Sequence, residues 1–258
     1  MTHFTRAIVR PPGASYAQGI TSADLGAPDL PLALEQHRGY CAALETAGLT
    51  LTHLPPEDAY PDSTFVEDTA VLTPALAIIS HPGAPSRQGE IHTVRAALTG
   101  FYPRLAAIEP PGTLDGGDIC EAGDHVFIGV TARTNPAGAE QLAAILQGEG
   151  FTTSMVDVRG STALLHLKTG MSYLGDRTLV LVDELAEHPA FAGYRIIRVP
   201  TAEAYAANCI RVNDSVILPA GYPALEGQIA ALGLRVLPVP MSEYQKMDGG
   251  VSCLSLRF

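Results

Sequence analysis

The sequence lacks several features that would assign it to a well-defined class of protein. It has no tryptophan, and only 6% of its residues are aromatic and 17% are charged. It has no apolar run near the roughly 18 residues that a membrane-spanning helix needs. The segment 1–13 reads as a short strand and turn rather than a basic stretch followed by an apolar core, so we expect no secretory signal. These absences favour a cytoplasmic protein.

Cysteine is also scarce, and its spacing does not resemble that of a metal site. The four cysteines are Cys41, Cys120, Cys209 and Cys253, and no Cys-x-x-Cys pair occurs. This pattern argues against both a zinc site and a disulfide scaffold, so we expect free thiols. The net charge of −11 disfavours nucleic acid as a partner and is compatible with a cationic ligand.

A two-strand pattern recurs along the chain. Each copy has two β-prone runs around a turn of Gly, Asn, Asp or Pro residues, which is typical of a β-hairpin. The copies cover residues 69–80, 118–129, 171–182 and 209–220. Their period of roughly 40–50 residues is typical of propeller or array proteins.

Helical patterns separate these hairpins. Capping residues and proline in the first turn predict four of them, which begin after Asp29, near Ser86, after Asn135 and near Pro223. No stretch resembles a linker, so we expect one catalytic domain over residues 1–258.

A fifth hairpin is missing from the interior of the chain. The C-terminal "VSCLSLRF" and the N-terminal "HFTRAIVR" would supply its two strands. Such a pairing would close a ring and remove its sheet edges. The sequence therefore predicts an α/β five-bladed propeller of ββαβ units with pseudo-fivefold symmetry.

Polar residues precede each predicted hairpin, and a radial arrangement would bring them to one mouth. They are Asp62, Glu67 and Asp68, then Asp115 and Asp118, then His166 and Lys168, then Asn208, and finally Asp248 and Cys253. A nucleophile, a base and cation-binding carboxylates would then share one site.

Each of these residues also has an ordinary structural interpretation. A lone cysteine in an apolar strand is usually part of the core, and a histidine between leucines is more often a hydrogen-bonded core residue. Asp and Gly are common in turns. Arg87 and Arg133 precede helix starts, where an arginine suits a carboxylate ligand, although a surface role is the default.

The complete set of motifs resembles the dimethylarginine dimethylaminohydrolases, guanidine-modifying enzymes of the pentein fold. The resemblance covers essentially the whole chain, through "GITSADLGAPD", "FVED", "PGAPSR", "LDGGD", "ARTN", "LHLKTG", "YAANCI" and "DGGVSCLSLRF". The order and spacing of these motifs are much more specific than any one of them.

The resemblance implies a role for each residue. Cys253 would be the nucleophile, His166 the general acid and base, and Asp115 the carboxylate partner of the histidine. The other implied residues bind substrate: Glu67 and Asp68 hold the guanidinium with Asp62 nearby, Arg87 and Arg133 bind the α-carboxylate, and Leu25 and Met247 offer carbonyls to the α-amino group beside Asp248.

The implied reaction converts methylated arginine into citrulline and an amine through a covalent thiouronium, without metal or cofactor. The partner would be a small cationic amino acid, and the oligomeric state stays open, with a homodimer as one alternative. The competing hypotheses are an arginine deiminase, an agmatine deiminase, a thiol peptidase and a non-catalytic ring-shaped binding protein. Agmatine has no carboxylate and would not need Arg87 or Arg133, and a peptidase would need an extended groove.

Overall fold

The structure is a computed structural model that describes residues 3–258, and it contains fifteen strands and five α-helices within that range. The strands are β1 (Arg6–Val9), β2 (Thr50–His53), β3 (Ala70–Leu72), β4 (Ala77–Ile79), β5 (Leu105–Ala107), β6 (Ile119–Ala122), β7 (His125–Val130), β8 (Thr152–Asp157), β9 (Met171–Gly175), β10 (Thr178–Val182), β11 (Arg195–Val199), β12 (Ile210–Val212), β13 (Ser215–Pro219), β14 (Arg235–Val239) and β15 (Ser255–Arg257). The helices are α1 (Leu30–Thr46), α2 (Ile91–Leu98), α3 (Pro136–Gly148), α4 (Pro223–Ala230) and α5 (Ser242–Gln245).

The strands form five separate three-stranded sheets of the same design. In each sheet two antiparallel strands are followed by a parallel third strand, as in β3-β4-β5, β6-β7-β8, β9-β10-β11 and β12-β13-β14. All four predicted hairpins are confirmed. The first strand of each sheet is the inner one, and β9 contacts both β6 and β12.

The fifth sheet combines the two ends of the chain, as the sequence predicted. Strand β15 pairs antiparallel with β1, so that Ala7 lies opposite Arg257, and β1 pairs parallel with β2. Strand β15 also contacts β3 of the first sheet, which closes the ring. The pentein-type fold is therefore confirmed, with the last strand as the inner strand of its fifth unit.

Helices join the second and third strands in four of the five units. The Asp29 carboxylate accepts a hydrogen bond from the Leu32 amide at 2.9 Å, and Asn135 accepts one from Gly138 at 2.8 Å, so the predicted caps begin α1 and α3. In the third unit, the only helical turn between the second and third strands is the 3₁₀ turn Pro189–Phe191. No helix between residues 3 and 258 is long and apolar enough to cross a bilayer.

A 3₁₀ turn precedes each inner strand. The five turns are Val66–Thr69, Gly116–Asp118, Leu167–Thr169, Thr201–Ala207 and Ser252–Leu254. Neighbouring turns contact one another around the axis. These turns explain why polar residues accompany each hairpin, because a short turn can present several successive side chains at the axis, whereas those of a strand alternate between the two faces of its sheet.

Candidate active site

One cavity of about 450 Å³ opens at the end of the ring where the 3₁₀ turns meet. Its lining includes four of the predicted site residues, which are Leu25, His166, Asp248 and Cys253. Lys168 and Asn208, which the sequence also placed at the mouth, line the same cavity. The histidine and the cysteine, 87 positions apart in the sequence, therefore face one space.

Cys253 lies in the turn before β15, and its surroundings oppose ionisation of its thiol. Burial, together with the carboxylates of Glu67 and Asp68, raises the pKa of Cys253 to about 12. The Gly250 amide donates a hydrogen bond to the Cys253 sulfur at 3.4 Å. This bond and the charge of Lys168 act to lower the thiol pKa, but their effect is smaller. The thiol of the ligand-free protein is therefore protonated at neutral pH.

The tight approach to Cys253 depends on Asp248 and two glycines. The residue in the left-handed conformation is Asp248, with φ of 55°. Gly249 and Gly250 serve close packing. A Cβ at Gly249 would lie 2.3 Å from the Phe65 ring, and one at Gly250 would lie 2.5 Å from the amide of Asn208.

His166 and Asp115 form a hydrogen-bonded pair beneath the cavity. The His166 Nε2 atom lies 3.0 Å from Asp115 Oδ2, and the Gly83 amide donates to Asp115 Oδ1 at 2.9 Å. Burial alone would lower the pKa of His166, but the charges of Asp68, Asp118 and Asp115 outweigh it and raise that pKa to about 9. The imidazole is therefore protonated at neutral pH and can act as an acid.

Asp68 lies beside this pair and is held from two sides. Arg87 Nη1 donates to Asp68 Oδ2 at 2.6 Å, and the Gly117 amide donates to Oδ1 at 2.8 Å. Burial would raise the pKa of Asp68, but His166 and Arg87 hold it below its usual value. Gly117 has no room for a side chain, because a Cβ there would lie 2.8 Å from His166 Nδ1 and 2.9 Å from Asp68.

Arg87 is more enclosed than its predicted role suggested. It is 5% exposed, and its Nε and Nη2 groups both donate to the Glu90 carboxylate, Nη2 at 2.8 Å. Nη2 also donates to the backbone carbonyl of Phe65 at 3.2 Å. The guanidinium thus bridges Asp68 and Glu90 inside the protein.

Glu67 points below the cavity rather than into it. Its Oε1 atom lies 2.7 Å from Lys168 Nζ and 3.2 Å from Arg257 Nη2, and its Oε2 atom accepts from Ser252 Oγ at 2.7 Å. Two cations thus compensate this 4%-exposed carboxylate. Glu67 lines a second cavity of about 180 Å³ on the opposite side of the ring, and Lys168 and Ser252 line both cavities.

The remaining predicted residues lie around the loop that covers the site. Asp62 accepts from the Ile20 amide at 3.1 Å, and Asp248 Oδ2 accepts from the amide and hydroxyl of Ser22 at 2.6 and 2.9 Å. Leu25 is 52% exposed in that loop, and Met247 is buried.

Arg133 is half-buried and lies near Asp62. Burial raises the pKa of Asp62, while the charges of Arg87 and Arg133 act against that shift. The Arg133 backbone also packs on Gly83, since a Cβ at Gly83 would lie 2.2 Å from the Arg133 carbonyl oxygen. Arg133 is thus linked through Gly83 to Asp115.

Three residues of the site could hold a metal ion by distance alone. Asp68, Asp115 and His166 each offer one ligand atom, and these atoms lie within 4.8 Å of one another. However, the Asp68 oxygens are already bonded to Arg87 and to Gly117, and Asp115 is bonded to His166. We interpret this group as an acid–base cluster.

Sequence reasoning identified most of the residues around the cavity, and it missed several side chains that hold those residues in place. Asp118, which the sequence placed among the cation-binding carboxylates of the mouth, instead accepts hydrogen bonds from the Leu167 amide and the Thr131 hydroxyl. Three further residues were not considered at all, namely Glu90, Ser252 and Arg257. Sequence position could have pointed to two of them, because Glu90 is three residues from Arg87 and Ser252 adjoins Cys253.

The fold and the site define a class of protein: the pentein-fold enzymes, in which five units surround an axial site that modifies a guanidine. A family model described as arginine deiminase matches residues 103–200. The chain is 48% identical over 256 residues to the N(G),N(G)-dimethylarginine dimethylaminohydrolase of Pseudomonas aeruginosa, covering 99% of this chain and 100% of that protein. It is 34% identical to the corresponding protein of Streptomyces coelicolor, covering 98% and 96%. The chain belongs to the dimethylarginine dimethylaminohydrolase family.

Solved structures agree with this assignment. A cysteine-to-serine variant of the Pseudomonas aeruginosa enzyme complexed with citrulline matches with a TM-score of 0.97 over 100% of both chains, at 48% identity. A histidine-to-glycine variant of a dimethylarginine dimethylaminohydrolase, as an adduct with S-methyl-L-thiocitrulline, matches with a TM-score of 0.96 over 99% of this chain and 100% of the other. The N-terminal domain of the arginine dihydrolase ArgZ matches at 0.87 with 18% identity over 99% and 97%, and therefore supports the fold alone.

Proposed function

We propose that this protein hydrolyses Nω-methylated arginine, both dimethylarginine and monomethylarginine, to citrulline and the corresponding methylamine. The observation that carries the proposal is the meeting of Cys253 with the His166–Asp115 pair in one cavity beside a buried, ionised Asp68. The names of the relatives and the citrulline bound to one of them support the same substrate class.

The substrate would bring its own positive charge to an acidic site. Asp68 would accept N–H bonds of the guanidinium, and Glu67 would contribute negative charge from below the cavity. A bound cation opposes the effect that these two carboxylates have on Cys253, so the pKa of its thiol falls when substrate binds. The nucleophile is then generated only in the presence of the molecule that it attacks.

The first half of the reaction forms a covalent intermediate. The Cys253 thiolate attacks the central guanidinium carbon, and a C–S bond forms to give a tetrahedral adduct. The C–N bond to dimethylamine then breaks, and protonated His166 gives its proton to the departing nitrogen. An S-alkylthiouronium remains on the enzyme, and Asp115 stabilises the charged imidazole before this transfer.

The second half consumes one water molecule. Neutral His166 takes a proton from water while the oxygen attacks the thiouronium carbon. The bond between the Cys253 sulfur and the substrate carbon then breaks, the hydroxyl proton of the adduct passes to the departing sulfur, and citrulline is released with Cys253 again a thiol. The sum is dimethylarginine plus water giving citrulline plus dimethylamine.

Groups at the rim would bind the amino-acid part of the substrate. We assign the α-carboxylate to Arg133 and to the Nη1 side of Arg87, where only one of the two N–H bonds has a partner among residues 3–258. The Leu25 and Met247 carbonyls, with Asp62 and Asp248 nearby, would take the α-amino group.

We further propose that residues 1–258 act as one catalytic domain in the cytoplasm, either as single chains or as a homodimer. The four cysteines are all unpaired, which suits a reducing compartment. Charge and cavity shape favour a small amino acid over nucleic acid or an extended peptide.

An end-product assay tests the proposal. Purified protein is incubated with asymmetric dimethylarginine, and citrulline and dimethylamine are both quantified. We expect them to appear in equal amounts, and we expect Cys253→Ser to bind substrate while turnover falls by at least about 10³-fold, because an alkoxide is harder to generate than a thiolate. Absence of amine release, or a fully active Cys253→Ser protein, would overturn the proposal.

A second candidate is deimination of unmethylated arginine, which the arginine deiminase match over residues 103–200 favours. The same assay with arginine, monomethylarginine and dimethylarginine distinguishes the two activities. A higher kcat/KM for arginine, with ammonium released instead of dimethylamine, would select the deiminase.

A further inference from the structure

Four polar residues below Cys253 form a closed ring of hydrogen bonds through their side chains and one backbone carbonyl, which we call the floor ring. Its members are Glu67, Lys168, Asn208 and Ser252, and each lies in or next to the 3₁₀ turn before a different inner strand. Lys168 Nζ bonds Glu67 at 2.7 Å and Ser252 Oγ donates to Glu67 at 2.7 Å. Asn208 closes the ring by joining the backbone of Lys168 to Ser252.

Asn208 uses its whole side-chain amide in this ring. Its Nδ2 group donates to the Lys168 carbonyl at 3.0 Å and to Ser252 Oγ at 3.1 Å, and its Oδ1 atom accepts from the Ser252 amide at 2.8 Å. An amide can donate two hydrogen bonds and accept at one oxygen, so no other residue type of this length satisfies all three contacts. The residue is 6% exposed, so these bonds are protected from water.

The two segments that Asn208 joins carry the reacting groups of the proposed mechanism. Lys168 follows His166 by two residues within the same turn, and Ser252 directly precedes Cys253. Gly250, whose amide donates to the Cys253 sulfur, packs flat on the Asn208 amide, since a Cβ at Gly250 would lie 2.5 Å from it. One side chain therefore touches Ser252 and Gly250 in the segment of the nucleophile, and also the turn that holds the acid–base residue.

We infer that Asn208 is a positioning residue that sets the separation of Cys253 from His166. It touches no reacting atom, and it acts through Ser252 on one side and Lys168 on the other. The inference rests on the proposed function, because it concerns the two groups that react there. A misplacement of about 1 Å can cost on the order of 100-fold in a chemical step, whereas binding at the rim residues is unaffected.

Asn208→Ala tests the inference, with Asn213→Ala as its matched control. Asn213 has the same bonding pattern far from the site, since its amide donates to the Phe4 and Ala47 carbonyls and accepts from the Phe4 amide. Both variants lose three hydrogen bonds that are at least partly buried, and Asn213→Ala also places alanine at a φ of 54°, which costs stability without touching the site. We expect both to lower the melting temperature, but only Asn208→Ala to lower kcat, by about 10- to 100-fold, with KM within about threefold of wild type.

A double-mutant cycle with Ser252→Ala keeps the test valid if Asn208→Ala folds poorly. Kinetics are measured well below the melting temperature of each variant. If the two residues act as one unit, the fold-loss in kcat of the double variant will be much smaller than the product of the two single-variant losses. Asn208→Ser, which retains a short donor, should recover part of the lost kcat.

The outcomes separate this inference from the proposed function. Wild-type protein without amine release would contradict the function. Active wild type, with a kcat that Asn208→Ala lowers no more than Asn213→Ala does, would overturn the positioning role. Strictly multiplicative losses in the Asn208 and Ser252 cycle would overturn it as well.

Discussion

At the scale of single residues, the site is organised by carboxylates that raise the pKa values of both a thiol and an imidazole. Burial, together with the carboxylates of Glu67 and Asp68, raises the pKa of Cys253 to about 12. Three neighbouring carboxylates outweigh burial and raise the pKa of His166 to about 9, so at neutral pH the imidazole is charged and the thiol is neutral. A bound cation opposes the effect of the carboxylates on the thiol, which matches a guanidinium substrate.

Glu67→Gln should separate the reactivity of the thiol from catalysis. The change keeps the shape of the side chain and leaves Lys168 and Arg257 without a counter-charge below Cys253. We expect iodoacetamide to alkylate Cys253 about tenfold faster or more at pH 8, because a lower thiol pKa means more thiolate. We also expect kcat/KM for dimethylarginine to fall, since the negative charge that favours the substrate cation is lost.

Mass spectrometry of the alkylated protein measures this change site by site. The buried Cys41, Cys120 and Cys209 serve as internal controls and should stay unlabelled in the folded protein. Glu57→Gln, which removes a carboxylate paired with Arg10 rather than with the floor ring, should leave the Cys253 rate unchanged. Slower alkylation in Glu67→Gln would contradict the electrostatic account.

At the scale of elements, the site is built from short turns and one covering loop. Residues 20–25 are attached mainly through side chains of other segments, namely Asp62 to the Ile20 amide and Asp248 to Ser22. Leu25, at the end of this stretch, is exposed. The loop is therefore held by a few polar contacts rather than by a hydrophobic core.

Asp248→Gly should release this loop without straining the backbone. Asp248 has φ of 55°, a conformation that glycine adopts freely, so the variant loses the carboxylate but keeps the turn. We expect faster hydrogen exchange at the Ser22 amide, and KM for dimethylarginine to rise about three- to tenfold while the melting temperature changes little.

Ser22→Ala is the matched control for this loop. It removes the 2.9 Å hydroxyl contact but keeps the 2.6 Å amide contact to Asp248, so its effects on exchange and KM should be smaller. Unchanged exchange at Ser22 in Asp248→Gly would show that the carboxylate does not hold the loop.

At the scale of the whole molecule, the buried acid–base cluster couples stability to pH. Burial and neighbouring charges raise the folded-state pKa of His166 to about 9, above its unfolded value of about 6.5. The folded state therefore binds this proton more tightly than the unfolded state. The resulting stabilisation is fully present below about pH 6.5 and is lost as the pH rises through 9.

Urea unfolding between pH 7 and 9 should reveal this dependence. We expect the loss of this proton to lower the free energy of unfolding by about 2 kcal/mol over this range, because one pKa unit corresponds to about 1.4 kcal/mol. His166→Gln should reduce the slope, whereas His125→Gln should retain it, since burial lowers the pKa of His125 and it is already neutral there. Equal slopes in the two variants would contradict the assignment to His166.

The sequence by itself determined the repeat and most of the residues around the axis. Turn residues at a regular spacing predicted the four hairpins, and the apolar pattern of the last eight residues predicted that β15 completes the fifth sheet. Such signals are local, because turn and cap preferences act within a few residues. The motif order placed Cys253, His166 and Asp115 in one site.

Only the tertiary structure decided how these residues are paired. Glu67 and Asp68 are adjacent in sequence, yet one is bonded to Lys168 below the cavity and the other to Arg87 beside it. The partners lie 101 and 19 positions away, and no local preference encodes such contacts. The role of Asn208 likewise appears only when four turns meet at the axis, because its three bonds exist only in the closed ring.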